Sequence, residues 1–235
     1  SPDSPFLYDL TVGTTQGDED GFDTVHSYFA LRKWSCEPDA KGILRFCLNG
    51  KPILLNGLLD QGYWPEGLYT PPSDAAVVHE LEQVKELGFN LLRKHAKIEP
   101  QRWYYHCDKL GLIVWQDVVN GGGPYKLWFV TYLTNVFQPL LRRLPDTEAS
   151  RESYQTELKA TVEALRCHPC IGCWVPFNEG WGQFDARAAT AALRALDDTR
   201  LIDEASGWYD QGGGDVDSRH NYFYPLRIRP GGRTV

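Results

Sequence analysis

The chain has 235 residues, 42% apolar and 13% aromatic, enough to bury a large core in one domain or in one domain plus a fragment. Its 31 acidic and 24 basic residues give a formal charge of −7 with no basic run, so the electrostatic footprint for binding nucleic acid is absent. No stretch of about 18 uninterrupted apolar residues occurs, which excludes a membrane span.

The opening Ser1-Pro-Asp-Ser-Pro5 has neither the basic nor the apolar region of a signal peptide, and the chain contains no methionine. It reads as a piece of a longer protein. Six cysteines at irregular spacing do not suggest a disulfide framework; they slightly favour a cytoplasmic setting and leave a secreted or periplasmic parent open.

In chain order, Leu7–Val12 and Thr24–Leu31 alternate apolar and polar side chains around the polar turn Gly17–Gly21, the pattern of an antiparallel hairpin. We read residues 1–40 as the tail of a β-module. From Ile43 the order becomes strand, helix, strand, which builds parallel sheets. The first strand is expected over Pro52–Leu59, then a loop through Gln61–Gly67, then a helix over Asp74–Leu87 capped by Ser73. Val77, Leu81, Val84 and Gly88 fall on one helical stripe, with Gly88 where a left-handed cap is needed.

A second copy follows, with a strand at Phe89–His95, a helix begun by Glu99-Pro100 with proline in its first turn, and Leu110-Gly111 at its end. The third strand is Leu112–Asp117. Such repeats make either barrels or doubly wound sheets. The loop Asn120–Pro124 and the aromatic stretch Tyr125–Leu144 interrupt the rhythm; within that loop, Gly121–Gly123 reads as a turn or lid rather than a phosphate cradle. A helix resumes near Glu152 with Tyr154, Leu158, Val162 and Leu165 on one face, and the fourth strand spans Ile171–Phe177. The next helix covers about Asp185–Leu196, and strands five and six are expected at Leu201–Ala205 and Arg219–Tyr222.

Polar residues recur at the C-terminal strand ends: Asp60, Arg93 and His95, Asp117, Asn178 and Glu179, Asp203 and Glu204, His220 and Tyr222. In a parallel barrel these ends meet at one mouth. Carboxylates, amides and histidines among tryptophans suit a neutral polyol. Trp64, Trp115 and Trp208 fit a core or a sugar platform equally well. Asp203, Glu204 and Arg93 divide evenly between interior salt bridges and substrate contact. Cys167, Cys170 and Cys173 have the spacing that opens an iron–sulfur run, but no fourth ligand follows and Cys173 lies in an apolar strand, so we expect no metal.

Four segments carry a resemblance: Phe46–Ile53, Gly88–His95, Asp108–Trp115, and His168-Pro169 followed by Trp174-Val-Pro-Phe-Asn-Glu179. Together they resemble the retaining β-glycosidases of glycoside hydrolase family 2, which include β-galactosidases, β-glucuronidases and β-mannosidases. The resemblance implies an α/β fold, a (β/α)8 TIM barrel over residues 41–235 truncated after about six strands, preceded over 1–40 by the end of an immunoglobulin-like β-sandwich. It implies hydrolysis of terminal β-glycosides, β-galactosides first, by a longer parent whose remaining domains would be partners of this piece. No cofactor is implied.

Carried over by position, Glu179 is the acid/base and Asn178 holds the sugar 2-hydroxyl, with His95, Asp117, His220 and Tyr222 around the first sugar and Trp181 and Arg93 beside them. A proton donor needs a raised pKa, which desolvation by Trp181 would favour. The nucleophile is unknown and expected beyond Val235; Glu204 and Asp117 are poor in-chain substitutes, so the isolated piece is expected to be inactive. The rival reading is a non-catalytic carbohydrate-binding relative of the same fold.

Overall fold

The computed structural model describes residues 2–15, 22–120, 148–222, 225 and 228–235. The turn expected at Gly17–Gly21, the glycines 121–123 and the aromatic stretch Tyr125–Leu144 lie outside them.

Strands β1 (Tyr8–Thr15) and β2 (Phe22–Phe29) form the expected antiparallel hairpin. Strands β3 (Trp34–Pro38), β4 (Leu44–Leu48) and β5 (Lys51–Pro52) form a separate antiparallel sheet. The boundary expected near residue 40 falls in the turn between β3 and β4, where Asp39 accepts from Gly42 N at 2.8 Å. Strand β6 (Gly57–Asp60) starts later than expected, because Lys51-Pro52 continues the ladder to β4 and Ile53 N still donates to Phe46 O at 2.9 Å.

Helix α1 (Asp74–Glu86) starts as the sequence requires: the Ser73 hydroxyl accepts from Ala76 N at 3.1 Å, and Asp74 and Lys85 complement the helix dipole at either end. Strand β7 (Leu91–Lys94) follows, then α2 (Gln101–Leu110). Pro100 is the N-cap of α2 rather than a first-turn residue. Both helices end at glycines in the left-handed region, Gly88 at φ 87° and Gly111 at φ 77°, where a β-carbon would be strained. Strand β8 (Ile113–Asp117), helix α3 (Glu148–Leu165), strand β9 (Ile171–Val175), helix α4 (Ala186–Leu196) and strand β10 (Leu201–Ile202) complete the regular elements. No described helix is long and apolar enough to cross a membrane.

Strands β6 to β10 form one parallel sheet in sequential order, the arrangement of a barrel wall. Strand alternation then sorts the side chains. Leu92, Val114, Trp174 and Ile202 face the helices and pack with Leu81, Trp103, Val162 and Leu193. Leu91, Ile113, Cys173 and Leu201 face inward at the N-terminal ends and close on Trp34, with Phe46 and Leu48 of the three-stranded sheet against them. That sheet is therefore the floor of the barrel. Large apolar groups seal the barrel interior at this end, and among the described residues the polar strand ends gather at the other.

The sixth strand expected at Arg219–Tyr222 does not form; these residues have no strand pairing. Instead Asp215 N donates to Ile202 O at 2.8 Å, and Val216 bridges Thr234 in parallel. The sixth position is thus held by residues 215–217, where Val216 is 3% exposed, while Arg219–Tyr222 carries polar side chains onto the mouth.

Candidate active site

Above the apolar floor, the inward positions of the strands turn polar. Arg93 follows Leu91 on the inward face of β7, and Asp117 follows Trp115 on β8. The Arg93 guanidinium grips Asp117 in a fork, Nε to Oδ1 at 2.9 Å and Nη2 to Oδ2 at 3.1 Å. Burial alone would weaken the Arg93 charge, but Asp117 outweighs it and raises its pKa. Nη2 also donates to Asn178 Oδ1 at 2.8 Å, and Nη1 lies 3.4 Å from His220 Nε2. One cation thereby organises an acid, an amide and an imidazole.

This sets the Asn178 amide. With Asn178 Oδ1 taken by Arg93, its Nδ2 faces His95 Nε2 at 3.1 Å as a donor, and Gln61 Nε2 lies 3.2 Å from His95 Nδ1 on the other side of the ring. Desolvation lowers the His95 pKa, which favours a neutral ring between these two amides.

Glu179 follows β9 at φ 50°, a left-handed conformation uncommon for a residue with a β-carbon. Its backbone N–H donates to Ser206 O at 3.1 Å, holding it against the segment after β10. Its Oε1 lies 2.9 Å from His220 Nδ1 and accepts the Tyr222 hydroxyl. Burial pushes the Glu179 pKa up, but the His220 and Tyr222 hydrogen bonds, then the charges of His220 and Arg93, pull it lower overall. The raised value expected from desolvation is thus reversed, because a half-buried carboxylate with two donors gains more from them than it loses to burial. Tyr222 is pushed up to about 12 by desolvation and by Glu179.

These groups line a cavity of about 400 Å³, together with Trp181 and Gln61. All eight expected site residues border it: Arg93, His95, Asp117, Asn178, Glu179, Trp181, His220 and Tyr222. Other strand-end residues go elsewhere. Asp60 turns to the helix side, where its Oδ2 is 2.6 Å from the fully buried Lys94 Nζ beneath Trp103. Glu204 also faces outward, accepting from Gln211 N at 2.7 Å and Gly213 N at 3.0 Å. Asp203 faces inward, and burial raises it to about 6 despite Arg93. Trp115 packs on Phe46 in the floor, and Trp208 stands edge-on to Tyr222 at 6.1 Å. Trp64 bridges to Leu68 within its own loop.

Sequence reasoning overlooked Gln61, Ser206 and Gly207. Gln61 had a signal, since it directly follows the strand end Asp60. The other two had only their place after β10. The three clustered cysteines separate: Cys167 is exposed, Cys170 Sγ lies 3.6 Å from Tyr104 O outside the barrel, and Cys173 points into the floor. Among the described residues no group of His, Cys, Asp and Glu side chains converges as a metal site.

Residues 42–222 match the family described as "Glycosyl hydrolases family 2, TIM barrel domain". A β-galactosidase of Klebsiella pneumoniae (strain 342) is 29% identical over 178 residues, 75% of this chain and 15% of that protein. Beta-mannosidase B of Aspergillus clavatus is 28% identical over 182 residues, 74% of this chain and 19% of its own length. The chain therefore spans less than a fifth of these relatives. The crystal structure of a Bacteroides uniformis β-glucuronidase superposes with a TM-score of 0.65 at 21% identity, covering 86% of this chain and 24% of that one, a likeness of fold. With a match over most of its length and a five-stranded parallel wall of the expected order, the chain belongs to glycoside hydrolase family 2 and carries part of its TIM barrel domain.

Proposed function

We propose that the parent of this chain is a retaining β-glycosidase in which Glu179 is the acid/base, with terminal β-galactosides as its first substrate. The observation that carries this is the placement of the Glu179 carboxylate in a polar cavity of about 400 Å³ between His220 and Tyr222, with Asn178 beside it. Asn178 and His95 supply a donor and a ring to hydroxyls of the first sugar, Asp117 accepts, and Trp181 offers an apolar face. Glu179 would donate its proton to the glycosidic oxygen and then accept one from the attacking water, as retention requires.

The nucleophile belongs, on this reading, to a residue beyond Val235. Both in-chain substitutes are otherwise engaged: Asp117 is gripped by Arg93 and by Ala96 N at 3.2 Å, and Glu204 is held on the outer face by two loop amides. The parallel bridge of Thr234 to Val216 supports a seventh strand starting at the end of this chain. The isolated chain would then bind sugar without cleaving it. The apolar, outward face of the hairpin, with Tyr8, Leu10, Val12, Val25 and Phe29 exposed, supports the reading of the N-terminal residues as the end of an immunoglobulin-like sandwich.

The test is hydrolysis of aryl β-glycosides by the full-length parent. E179Q should lower kcat/KM by about 10²–10⁴, most for poor leaving groups. Turnover by the isolated chain, abolished by E179Q, would refute the missing nucleophile. Sugar binding without turnover in the full-length protein would instead establish a non-catalytic carbohydrate-binding relative.

A further inference from the structure

The turn Ala205-Ser206-Gly207-Trp208 after β10 touches both halves of the pair that defines the proposed acid/base. Ser206 engages Glu179 through its backbone, whose carbonyl takes the Glu179 N–H at 3.1 Å and so fixes the left-handed backbone that aims the carboxylate. Its side chain engages the partner, with Oγ 3.1 Å from His220 Nε2, and also hydrogen-bonds Asp203.

Gly207 provides the seat for the imidazole. It sits at φ 89°, and a β-carbon there would lie 2.2 Å from His220 Cγ and 2.6 Å from Nδ1. Any side chain at 207 must therefore displace the ring. With the ring seated, the direction of its hydrogen bonds follows. Arg93 Nη1, 3.4 Å from Nε2, is only ever a donor, so the neutral ring keeps its lone pair on Nε2 and its proton on Nδ1. That proton points at Glu179 Oε1, 2.9 Å away.

We propose that Ser206 and Gly207 are positioning residues for the acid/base: the turn they form holds the His220 imidazole in the one orientation and tautomer that donates to Glu179, while its backbone holds Glu179 itself. Neither residue is among those that line the cavity. The inference rests on Glu179 being the acid/base and adds what sets its ionisation.

Other groups act on the same site; all but Asp203, which also hydrogen-bonds the Ser206 side chain, keep their contacts in the test. They are Arg93 and Asp117 in the barrel wall, His95 just past β7, Tyr222 on Glu179, and Asp203 behind His220. Tyr222 is the second donor to Glu179, so losing His220 leaves one of two. A lost hydrogen bond to a carboxylate corresponds to about one pH unit in its midpoint.

The experiment is a ¹³C carboxyl titration of Glu179 with ¹⁵N measurement of the His220 tautomer in the full 235-residue chain. H220A sets the full effect, a rise of about one pH unit in the Glu179 midpoint. G207A should reproduce most of it. S206A, a milder change, should raise the midpoint by about half a unit and mix the two His220 tautomers. S206A with an unchanged midpoint and a pure Nδ1–H ring would overturn the inference, and it does so even where G207A fails to fold. The titration reads ionisation whether or not any glycoside is cleaved. Failure of hydrolysis in the parent would sink the proposed function while leaving this result standing.

Discussion

Replacing Arg93 tests whether the barrel mouth is organised by one guanidinium. The Arg93 side chain is 11% exposed and that of Asp117 2%, so both charges are withdrawn from water and each depends on the other. In R93A, Asp117 keeps, among the described residues, the Ala96 N–H at 3.2 Å, and Asn178 Oδ1 loses its 2.8 Å donor. Removing one partner of a buried pair costs roughly 3–5 kcal/mol, far above the ~0–1 kcal/mol of an exposed bridge, and the geometry places this pair in the first class. R93K keeps the charge but loses the fork, and should cost about 2 kcal/mol. In the double variant R93Q/D117N the orphaned charge is gone, so its loss should fall short of the sum of the single losses by about 1–3 kcal/mol. Urea unfolding of the chain, followed by tryptophan fluorescence, measures R93A, R93K, the single variants R93Q and D117N, and the double variant. A loss below about 1 kcal/mol in R93A, or full additivity in the cycle, would refute the picture of a buried, guanidinium-centred mouth.

Three further outcomes follow from named contacts. Tyr28 of the hairpin donates to Asp108 Oδ2 at 2.6 Å and lies 3.2 Å from His168 Nδ1, so Y28F should loosen the hairpin from the barrel at a cost of about 1–2 kcal/mol, read as faster amide exchange in β1 and β2. Lys94 is fully buried between Asp60 at 2.6 Å and Glu99 at 2.9 Å; K94M takes the cation from Asp60 and leaves Glu99 with Lys97 at 2.8 Å, and should cost about 3 kcal/mol in the same urea assay. Asp203 is pushed from 3.8 up to about 6 by burial, so the folded state binds its proton more tightly than the unfolded state does. Its contribution is therefore complete below about pH 4 and is lost as pH rises through about 6, a fall of up to about 3 kcal/mol. D203N should lack that fall, and wild type and variant showing the same stability from pH 4 to 7 would contradict it.

What the sequence revealed and what it concealed have separate physical origins. The strands β7, β8 and β9 and the helices around them were legible because each is buried on a defined face, so burial imposed a period: Val77, Leu81 and Val84 on α1, Tyr154, Leu158 and Val162 on α3. The site residues were legible because they end those strands. The same rule overreached at Asp60 and Glu204, whose odd-or-even place in the strand turns them to the helices, a one-residue difference that strand ends placed to within a few residues cannot resolve. Strand six was misplaced because Arg219–Tyr222 is rich in the polar groups expected of a strand end, whereas pairing is carried by the short, inconspicuous 215–217. Ser206 and Gly207 act through a carbonyl and through missing bulk, features that leave no pattern of hydrophobicity or charge.

On the proposed function, in which a second carboxylate follows on a later strand, the ionisation of Glu179 connects this site to the complete one. A general acid must hold its proton near neutral pH, yet His220 and Tyr222 keep this carboxylate below its ordinary value. The proposed nucleophile reduces the conflict. A second carboxylate at the roughly 5–5.5 Å that retention requires repels the first; with an effective dielectric of about 20 the interaction is about 3 kcal/mol, or about two pH units. That offsets the two donors at about one unit each and lifts the depression on Glu179, and on the proposed mechanism the donors then serve the other half of the cycle, when the nucleophile is esterified and uncharged and Glu179 acts as a base. The Glu179 midpoint should accordingly lie about two units higher in the full-length protein than in this chain, read by carboxyl titration in both, and should fall back when the nucleophile is replaced by its amide. Equal midpoints in the two proteins would show that Glu179 has no anionic neighbour, and the assignment of a retaining mechanism would fall with it.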